Sequence, residues 1–359
     1  MTLTEQDALS VLPVLTANLP GVGGRIKVEP EDFVVEEIPA YLPSGAGEHL
    51  FLWVEKRDTS ADYLLRHLAR TLGISVRDIG MAGRKDRRAI TRQWVSVPSW
   101  TKPKIDEVSN EDVQILDAKE HGNKLRTGHL KGNRFEILVR DAATDGLARA
   151  EAIIQVLKDR GFPNFFGPQR FGIDGSTIVE GLQLLSRSKS KIRRGPKFRL
   201  QLNAVQSFLF NEVLSKRLKE GLVDQVLLGD VLQVVASGGA FYAEDLAKEQ
   251  QRVDQGEVVI TGPLFGPKMK VPLETVAQRE TDVLKESGLQ LAAFSRFKKL
   301  TRGARRPFLI RPEKLDASDD SNGGLRFSLT LPPGCYATVT LRELMKSESS
   351  RGSSDDLES

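Results

Sequence analysis

Strand and helix patterns occupy both ends of this 359-residue chain and are interrupted between them, and this division limits the folds it can adopt. Short alternating segments predict strands near the start of the chain, at 31–38, 51–57 and 90–98. A helix is predicted over 145–161, where apolar residues recur at helical spacing. Residues 162–308 instead hold short helical patterns separated by Gly/Pro-rich segments, and strand–turn–helix patterning returns at 325–344. The sequence therefore predicts an α+β fold in which a second domain interrupts the first.

The same patterns set the predicted domain bounds. Residues 1–23 end in the Gly-rich GVGG and are expected to form a loosely ordered arm. Residues 24–161 form the first part of the main domain, and 162–308 form an inserted α+β domain. Residues 309–345 complete the main domain. The Ser- and charge-rich tail, 346–359, is predicted to be disordered.

The clearest helix precedes a basic loop. A cap at Thr59 or Ser60 begins this helix, leucines line one face, and Gly73 ends it. The loop, AGRKDRRA at 82–89, leads into the predicted strand 90–98 and carries Asp86.

A hairpin is predicted over 123–140. Gly132 and Asn133 are the residue types that favour its turn, because both tolerate a positive φ.

Composition bounds the class of protein. Hydrophobic residues make up 40% of the chain and charged residues 28%, which supports a sizeable core. No apolar run approaches the roughly 20 residues of a membrane span, and the N-terminus does not resemble a secretory signal. The single cysteine, Cys335, fits a reducing compartment. We therefore expect a cytoplasmic protein, with no membrane association and no protein partner indicated.

Positive charge is concentrated in three clusters, although the net charge is only +4. Residues 187–199 contain seven Lys/Arg, residues 296–306 contain six, and residues 84–92 contain five around Asp86. Such clusters attract phosphate backbones. Any one of them could be a solvated face, but three together favour a nucleic-acid partner. The candidates for phosphate contact lie in the first two clusters, above all the basic triplet Lys191, Arg193 and Arg194.

Several familiar reaction classes have no sequence support. The four histidines and Cys335 lack metal-ligand spacing, so no metal site is predicted. No complete phosphate loop and no G-x-S-x-G motif occurs, which removes the usual signs of nucleotide and serine hydrolase chemistry. The predicted chemistry therefore uses carboxylate, amine or aromatic side chains without a cofactor.

Asp86 is the candidate for that chemistry because four basic residues flank it directly, at 84, 85, 87 and 88. Nearby cations lower a carboxyl pKa and keep the group available as a nucleophile or base. The alternative is a surface acid that balances excess positive charge, and charge alone favours this alternative.

A family resemblance changes that balance. The string AGRKDRRAITRQWVSV resembles the catalytic segment of the TruD family of tRNA pseudouridine synthases, which has a G-x-K-D core. Four other segments resemble further signatures of the family and occur in the same order as in the family: PEDFVVEEI, LKGNRFEILVR, PNFFGPQRFG and LPPGCYATVTLREL. These motifs span nearly the whole chain apart from the arm and the tail.

The resemblance implies a pseudouridine synthase-like catalytic domain, with a mixed, mainly antiparallel sheet and flanking helices, and a family-specific inserted domain. It also implies that Asp86 is the nucleophile that moves a uridine from an N1 to a C5 glycosidic bond, without metal or nucleotide cofactor. Attack on the sugar C1′ and attack on the base both remain open. The implied substrate is uridine 13 of tRNA, whose base must leave its stack to reach the carboxylate.

The resemblance further implies substrate-binding roles, each with a structural alternative. Phe33 resembles a substrate-contacting phenylalanine, or is a strand core residue. Asn133 resembles a substrate-binding asparagine, or is a turn residue, and Phe135 would stack on the base or fill a core. Tyr336 stands where the family commonly has phenylalanine. Lys27 resembles a basic active-site residue that could form a salt bridge to the aspartate, or is a solvent-exposed lysine. Arg84 is assigned no catalytic part.

One function of a different class remains open. An RNA-binding or RNA-folding module would also need the basic clusters. It would not need a carboxylate within a phosphate-attracting loop, and turnover as opposed to stoichiometric binding would distinguish the two.

Overall fold

The structure, a computed structural model, describes residues 12–167, 170–172, 175–186, 196–321 and 323–346. The described strands are β1 Gly23–Arg25, β2 Phe33–Pro39, β3 His49–Arg57, β4 Gly80–Met81, β5 Ile90–Pro98, β6 Val113–His121, β7 Leu130–Ala142, β8 Phe162–Pro163, β9 Val231–Val234, β10 Ala240–Tyr242, β11 Val258–Leu264, β12 Ala304–Pro307, β13 Leu309–Ile310, β14 Lys314–Asp319 and β15 Leu325–Leu331. The described helices are α1 Ala61–Leu72, α2 Gly146–Arg160, α3 Ser176–Ser186, α4 Pro196–Lys219, α5 Leu246–Asp254, α6 Glu274–Glu286, α7 Ala292–Ser295 and α8 Ala337–Met345.

The chain divides into two compact units. The nine-strand unit contains 19–155 and 312–359, and the middle unit contains 1–18 and 156–311. The chain leaves the nine-strand unit within α2 and returns to it between β13 and β14. The predicted insertion, 162–308, lies within the middle unit.

The nine-strand unit is built on one mixed sheet. Its order is β14-β15-β7-β2-β5-β3-β6, with β1 added to β7 and β4 added to β5. Among the described strands of this sheet, β2 and β5 are the parallel pair and the other pairings are antiparallel. The mixed, mainly antiparallel α+β architecture implied by the family resemblance is confirmed.

Helix α1 forms as its local sequence predicts. The Ser60 hydroxyl accepts a 3.1 Å hydrogen bond from the backbone N–H of Tyr63, and Gly73 ends the helix with a φ of 70°. Leu64, Leu68 and Leu72 are fully buried against apolar residues of β3 and β5. Burying each leucine contributes roughly 1.5–3 kcal/mol, so packing on the sheet holds the helix in place.

The predicted hairpin over 123–140 is wrong, because β7 pairs with β1, β2 and β15 and not with the preceding strand β6, and Gly132 and Asn133 form no turn. Both residues lie inside β7, which pairs with β2 and β15, and the chain turns earlier, at Gly128 with a φ of 92°. A Cβ on Gly132 would lie 2.4 Å from the carbonyl oxygen of Leu331. The glycine therefore permits close approach of β15 instead of making a turn.

The middle unit has its own sheet and helices. Its four strands are ordered β10-β9-β11-β12, and β8 and β13 form a separate pair. On α4, Arg217 forms a buried ion pair with Asp230, with 2.7 Å and 2.6 Å contacts to the two carboxylate oxygens. An Arg–carboxylate pair of this geometry joins α4 to the segment before β9.

Candidate active site

The loop that carries Asp86 emerges where two strands of the sheet separate. The parallel pairing of β2 with β5 covers three residue pairs, from Val34 with Ile90 to Glu36 with Arg92. Farther along β5, its partner is the short strand β4, through Val95 and Ser96. The loop 82–89 runs directly from β4 back into β5. The loop therefore begins where β4 takes the place of β2 beside β5.

Lys27 forms the predicted ion pair with Asp86. Its Nζ lies 3.1 Å from Oδ1 of Asp86 and 4.4 Å from the centroid of the Phe33 ring. The lysine side chain is 3% exposed, whereas that of Asp86 is 24% exposed. Lys27 also has a left-handed φ of 57°, a conformation uncommon for a residue with a side chain. The buried cation thus supports a carboxylate that stays open to a ligand.

Lys56, which the sequence analysis missed, is a second buried cation at this site. Its Nζ donates to the backbone carbonyl oxygens of Thr59, at 2.7 Å, and Asp86, at 2.6 Å, and the residue is 1% exposed. The contact with Asp86 ties the loop to β3. The alternation of β3 could have predicted that Lys56 is buried, because it shares one face of the strand with Leu50, Leu52 and Val54.

These two lysines keep Asp86 ionised. Burial alone would raise the pKa of Asp86, but the Coulomb attraction and hydrogen bond of Lys27 and the charge of Lys56 outweigh it and lower that pKa. Burial in turn lowers the pKa of Lys56 to about 8, against the opposing charges of Asp86 and Asp58. At neutral pH the carboxylate is available as a nucleophile.

Basic residues near Asp86 in sequence contact other groups, and the charges that lower its pKa come from Lys27 and Lys56, so the expectation that the flanking residues alone hold it ionised is corrected. Arg84 makes a bidentate contact with Asp62 of α1, at 2.9 and 2.8 Å, and Arg88 donates to the carbonyl oxygen of Val28. Successive residues of an extended loop point in different directions, so sequence neighbours need not face one another.

Lys85 joins the same loop to Asn133. Its Nζ lies 2.9 Å from Oε2 of Glu37 and 2.7 Å from Oδ1 of Asn133. Glu37 and Asn133 are opposite each other on β2 and β7. Burial raises the pKa of Glu37, while Lys85 opposes that rise. Glu37 was also missed, although it continues the inward alternation of Phe33 and Val35.

Phe33 and Phe135 form the apolar part of the site. Their ring centroids are 6.1 Å apart with an edge-to-face angle of 71°, and both side chains are buried. Asn133 and Phe135 share one face of β7, because residues two apart in a strand point the same way. The structure thus packs the two rings against each other, with the Phe33 ring beside Lys27.

Tyr336 lies at the start of a helix. It is the N-cap residue of α8, is half-buried, and follows a turn at Gly334 with a φ of 80°. Leu331, five residues earlier, is opposite Asn133 in the sheet. The strand–turn–helix pattern predicted for 325–344 is confirmed.

The basic triplet, Lys191, Arg193 and Arg194, lies outside the described residues. In the other cluster, 296–306, Lys298, Lys299 and Arg302 are exposed. Arg305 instead forms a buried ion pair with Glu280, so it is not available to a phosphate.

In the part of the chain that the structure describes, no group of three or more His, Cys, Asp or Glu side chains could hold a metal ion. Among the same residues, no helix is long and apolar enough to cross a membrane.

The chain is similar to known proteins over most of its length. The family model "tRNA pseudouridine synthase D (TruD)" matches residues 12–192 and 197–344. A tRNA pseudouridine synthase D of Anaeromyxobacter sp. (strain Fw109-5) is 43% identical over 339 residues, covering 93% of this chain and 96% of the relative. A counterpart in Thermus thermophilus is 44% identical over 337 residues, covering 94% of this chain and 92% of the relative.

The fold has a match among solved structures. A Methanosarcina mazei protein described as a putative tRNA pseudouridine synthase D aligns with a TM-score of 0.76, covering 97% of this chain and 99% of that one, at 24% identity. At this identity the match concerns the fold alone. The family model and the two relatives cover nearly the whole chain, and the chain therefore belongs to the TruD family of tRNA pseudouridine synthases.

Proposed function

We propose that this protein isomerises uridine to pseudouridine in tRNA, at position 13, with Asp86 as the nucleophile. The observation that carries the proposal is an accessible carboxylate held ionised by two buried lysines, in a chain of this family. The names of the relatives supply the reaction class and the substrate class.

The chemistry suits such a site because uridine and pseudouridine are isomers. The N1–C1′ bond breaks and a C5–C1′ bond forms, while C5 loses a hydrogen and N1 gains one. Atoms and electrons balance without an oxidant, a reductant or a phosphoryl donor. The enzyme must supply a nucleophile and keep the detached base in place while it turns, and Asp86 can supply the first.

The target base must leave its stack before it can meet Asp86, at a cost of a few kcal/mol. We assign the compensating contacts to Asn133 through hydrogen bonding and to Phe33, Phe135 and Tyr336 through their rings. Lys27 holds the carboxylate beside them.

Other parts of the chain would bind the rest of the tRNA. We assign phosphate contacts to the basic triplet, whose charge is not offset by any carboxylate within 187–199. We place the reaction in the cytoplasm, in line with the single cysteine. The domain bounds given above, with 162–308 as an insertion, belong to the same proposal.

The direct test is Asp86→Asn. We expect pseudouridine formation in an unmodified tRNA transcript to fall by about a thousandfold or more, while tRNA affinity stays within a few-fold. Asp141→Asn is the matched control, because Asp141 is an exposed carboxylate paired with Arg25 and should leave the rate unchanged. Wild-type protein that binds tRNA stoichiometrically but leaves its uridines unchanged would instead identify an RNA-binding module.

A further inference from the structure

We propose that Lys85 fixes the side-chain amide of Asn133 in the orientation that accepts uracil and rejects cytosine. This inference rests on the proposed function, because it takes Asn133 to face the target base. Lys85 is thereby a positioning residue that acts through Asn133.

The hydrogen-bonding chemistry of lysine determines which end of the amide faces it. The ammonium group can only donate, so the Asn133 atom 2.7 Å from Nζ of Lys85 must be the carbonyl oxygen Oδ1. The amide nitrogen, Nδ2, therefore points away from Lys85.

The anchor that holds this orientation is buried. Nζ of Lys85 also lies 2.9 Å from Glu37, and the two side chains are 4% and 0% exposed. Glu37 in turn accepts from the backbone N–H of Trp94. Turning the amide over would bring its NH₂ group against a buried ammonium, donor against donor, so the amide has one stable orientation.

The free end of the amide is a hydrogen-bond donor. Within the part of the chain that the structure describes, Nδ2 of Asn133 has no protein acceptor, and the residue is half-buried in β7. An unpaired donor at that place suits a carbonyl oxygen of an incoming base.

This donor distinguishes the two pyrimidines. Uracil has a carbonyl group at C4 where cytosine has an amino group, and an amide NH₂ group complements the first and opposes the second. Lys85 is also adjacent to Asp86, so the residue that orients the base contact shares a loop with the nucleophile.

The test measures base preference without turnover. Two tRNA transcripts are compared, one with pseudouridine and one with cytidine at the target position, because pseudouridine retains both carbonyl groups and is already the product. Equilibrium binding to the full chain, with Asp86 intact, gives the ratio of the two dissociation constants. We expect wild type to favour pseudouridine by about tenfold or more.

Three variants examine the mechanism. Lys85→Met should reduce the ratio to within about twofold, because the amide can then turn over, and Lys85→Arg should retain the preference. Asn133→Asp should invert it, since one carboxylate oxygen pairs with Lys85 and the other accepts from the cytosine amino group. Inversion is not expected from damage to folding, so this variant decides the matter even if Lys85→Met fails to fold.

Arg84→Met is the matched control, because it removes a cation from the same loop that pairs with Asp62 on the surface, and it should leave the ratio unchanged. A full pseudouridine preference in Asn133→Asp or in Lys85→Met would overturn the inference. Uridine turnover by wild type distinguishes a failure of this inference from a failure of the proposed function. If wild type is active but Asn133→Asp does not invert the base preference, only the role of Lys85 is refuted. Inversion in a protein without turnover refutes only the isomerase.

Discussion

Replacing Lys27 with methionine should move the acid limit of the reaction to higher pH. The substitution keeps an unbranched side chain of similar length in a buried position and removes one positive charge 3.1 Å from Asp86. Asp86 must be ionised to act as a nucleophile, so its pKa determines the pH below which the rate falls.

The size of the effect follows from the distance. Two unit charges 3.1 Å apart attract by about 1 kcal/mol in bulk water and by about 5 kcal/mol at an effective dielectric constant near 20. Losing this attraction removes the main interaction that favours the ionised carboxylate, so Lys27→Met should raise the pKa of Asp86. Burial acts in the same direction once the cation is gone.

The assay is the single-turnover rate of pseudouridine formation between about pH 4.5 and 8. In wild type the pKa of Asp86 lies below its ordinary value, so its ionisation should not limit the rate in this range. In Lys27→Met the carboxylate binds a proton as pH falls through the raised pKa, so the rate should decline within the range.

Lys102→Met is the control for a lost lysine charge, because Lys102 is exposed and pairs with Glu120. A Lys27→Met enzyme whose rate has the same pH dependence as wild type would refute the assignment of Lys27 as the cation that keeps Asp86 ionised.

Three further predictions concern stability and RNA binding. Lys56→Met should lower the free energy of unfolding by about 1–4 kcal/mol at pH 7, because two buried carbonyl oxygens lose their donor. Burial lowers the pKa of Lys56 to about 8, so between that pH and the ordinary lysine pKa the unfolded chain binds more protons than the folded chain. The contribution of Lys56 to the free energy of unfolding of wild type should therefore rise with pH in this range. Urea titrations should show that this rise is absent in the variant. Arg217→Met should lower the free energy of unfolding by about 3–5 kcal/mol, because it leaves Asp230 buried and unpaired. Arg279→Met, at an exposed pair, should lower it by less than about 1 kcal/mol. Equal losses for the two variants in urea unfolding would contradict this. Neutralising the basic triplet should reduce the salt dependence of tRNA binding by about 0.7–0.9 in slope per lost contact, and an unchanged slope would place the contact surface elsewhere.

Local signals in the sequence were sufficient for the framework of the site. The cap at Ser60, the stop at Gly73 and the leucines between them define α1, because a helix end and its buried face depend on residues a few positions apart. Alternation in 90–98 likewise defines β5. These two elements also locate the loop that carries Asp86, because this loop lies between α1 and β5 in the sequence.

Glycine at 132 shows where local signals mislead. The same absence of a Cβ serves a turn or a close approach between strands, and β15, which requires it here, lies almost 200 residues away in the sequence. Asn133 was consequently expected at a turn, although its position in β7 is what places it opposite Glu37.

The sequence by itself determined that Asp86 lies in a segment rich in positive charge, and it predicted that nearby cations keep the carboxylate ionised. Only the tertiary structure decided which cations do this. Lys27 and Lys56 lie 59 and 30 residues from Asp86, whereas Arg84, in the same loop as Asp86, faces Asp62. The charge of a segment is a property of composition, but the attraction between two charges depends on their distance, which strand pairing sets.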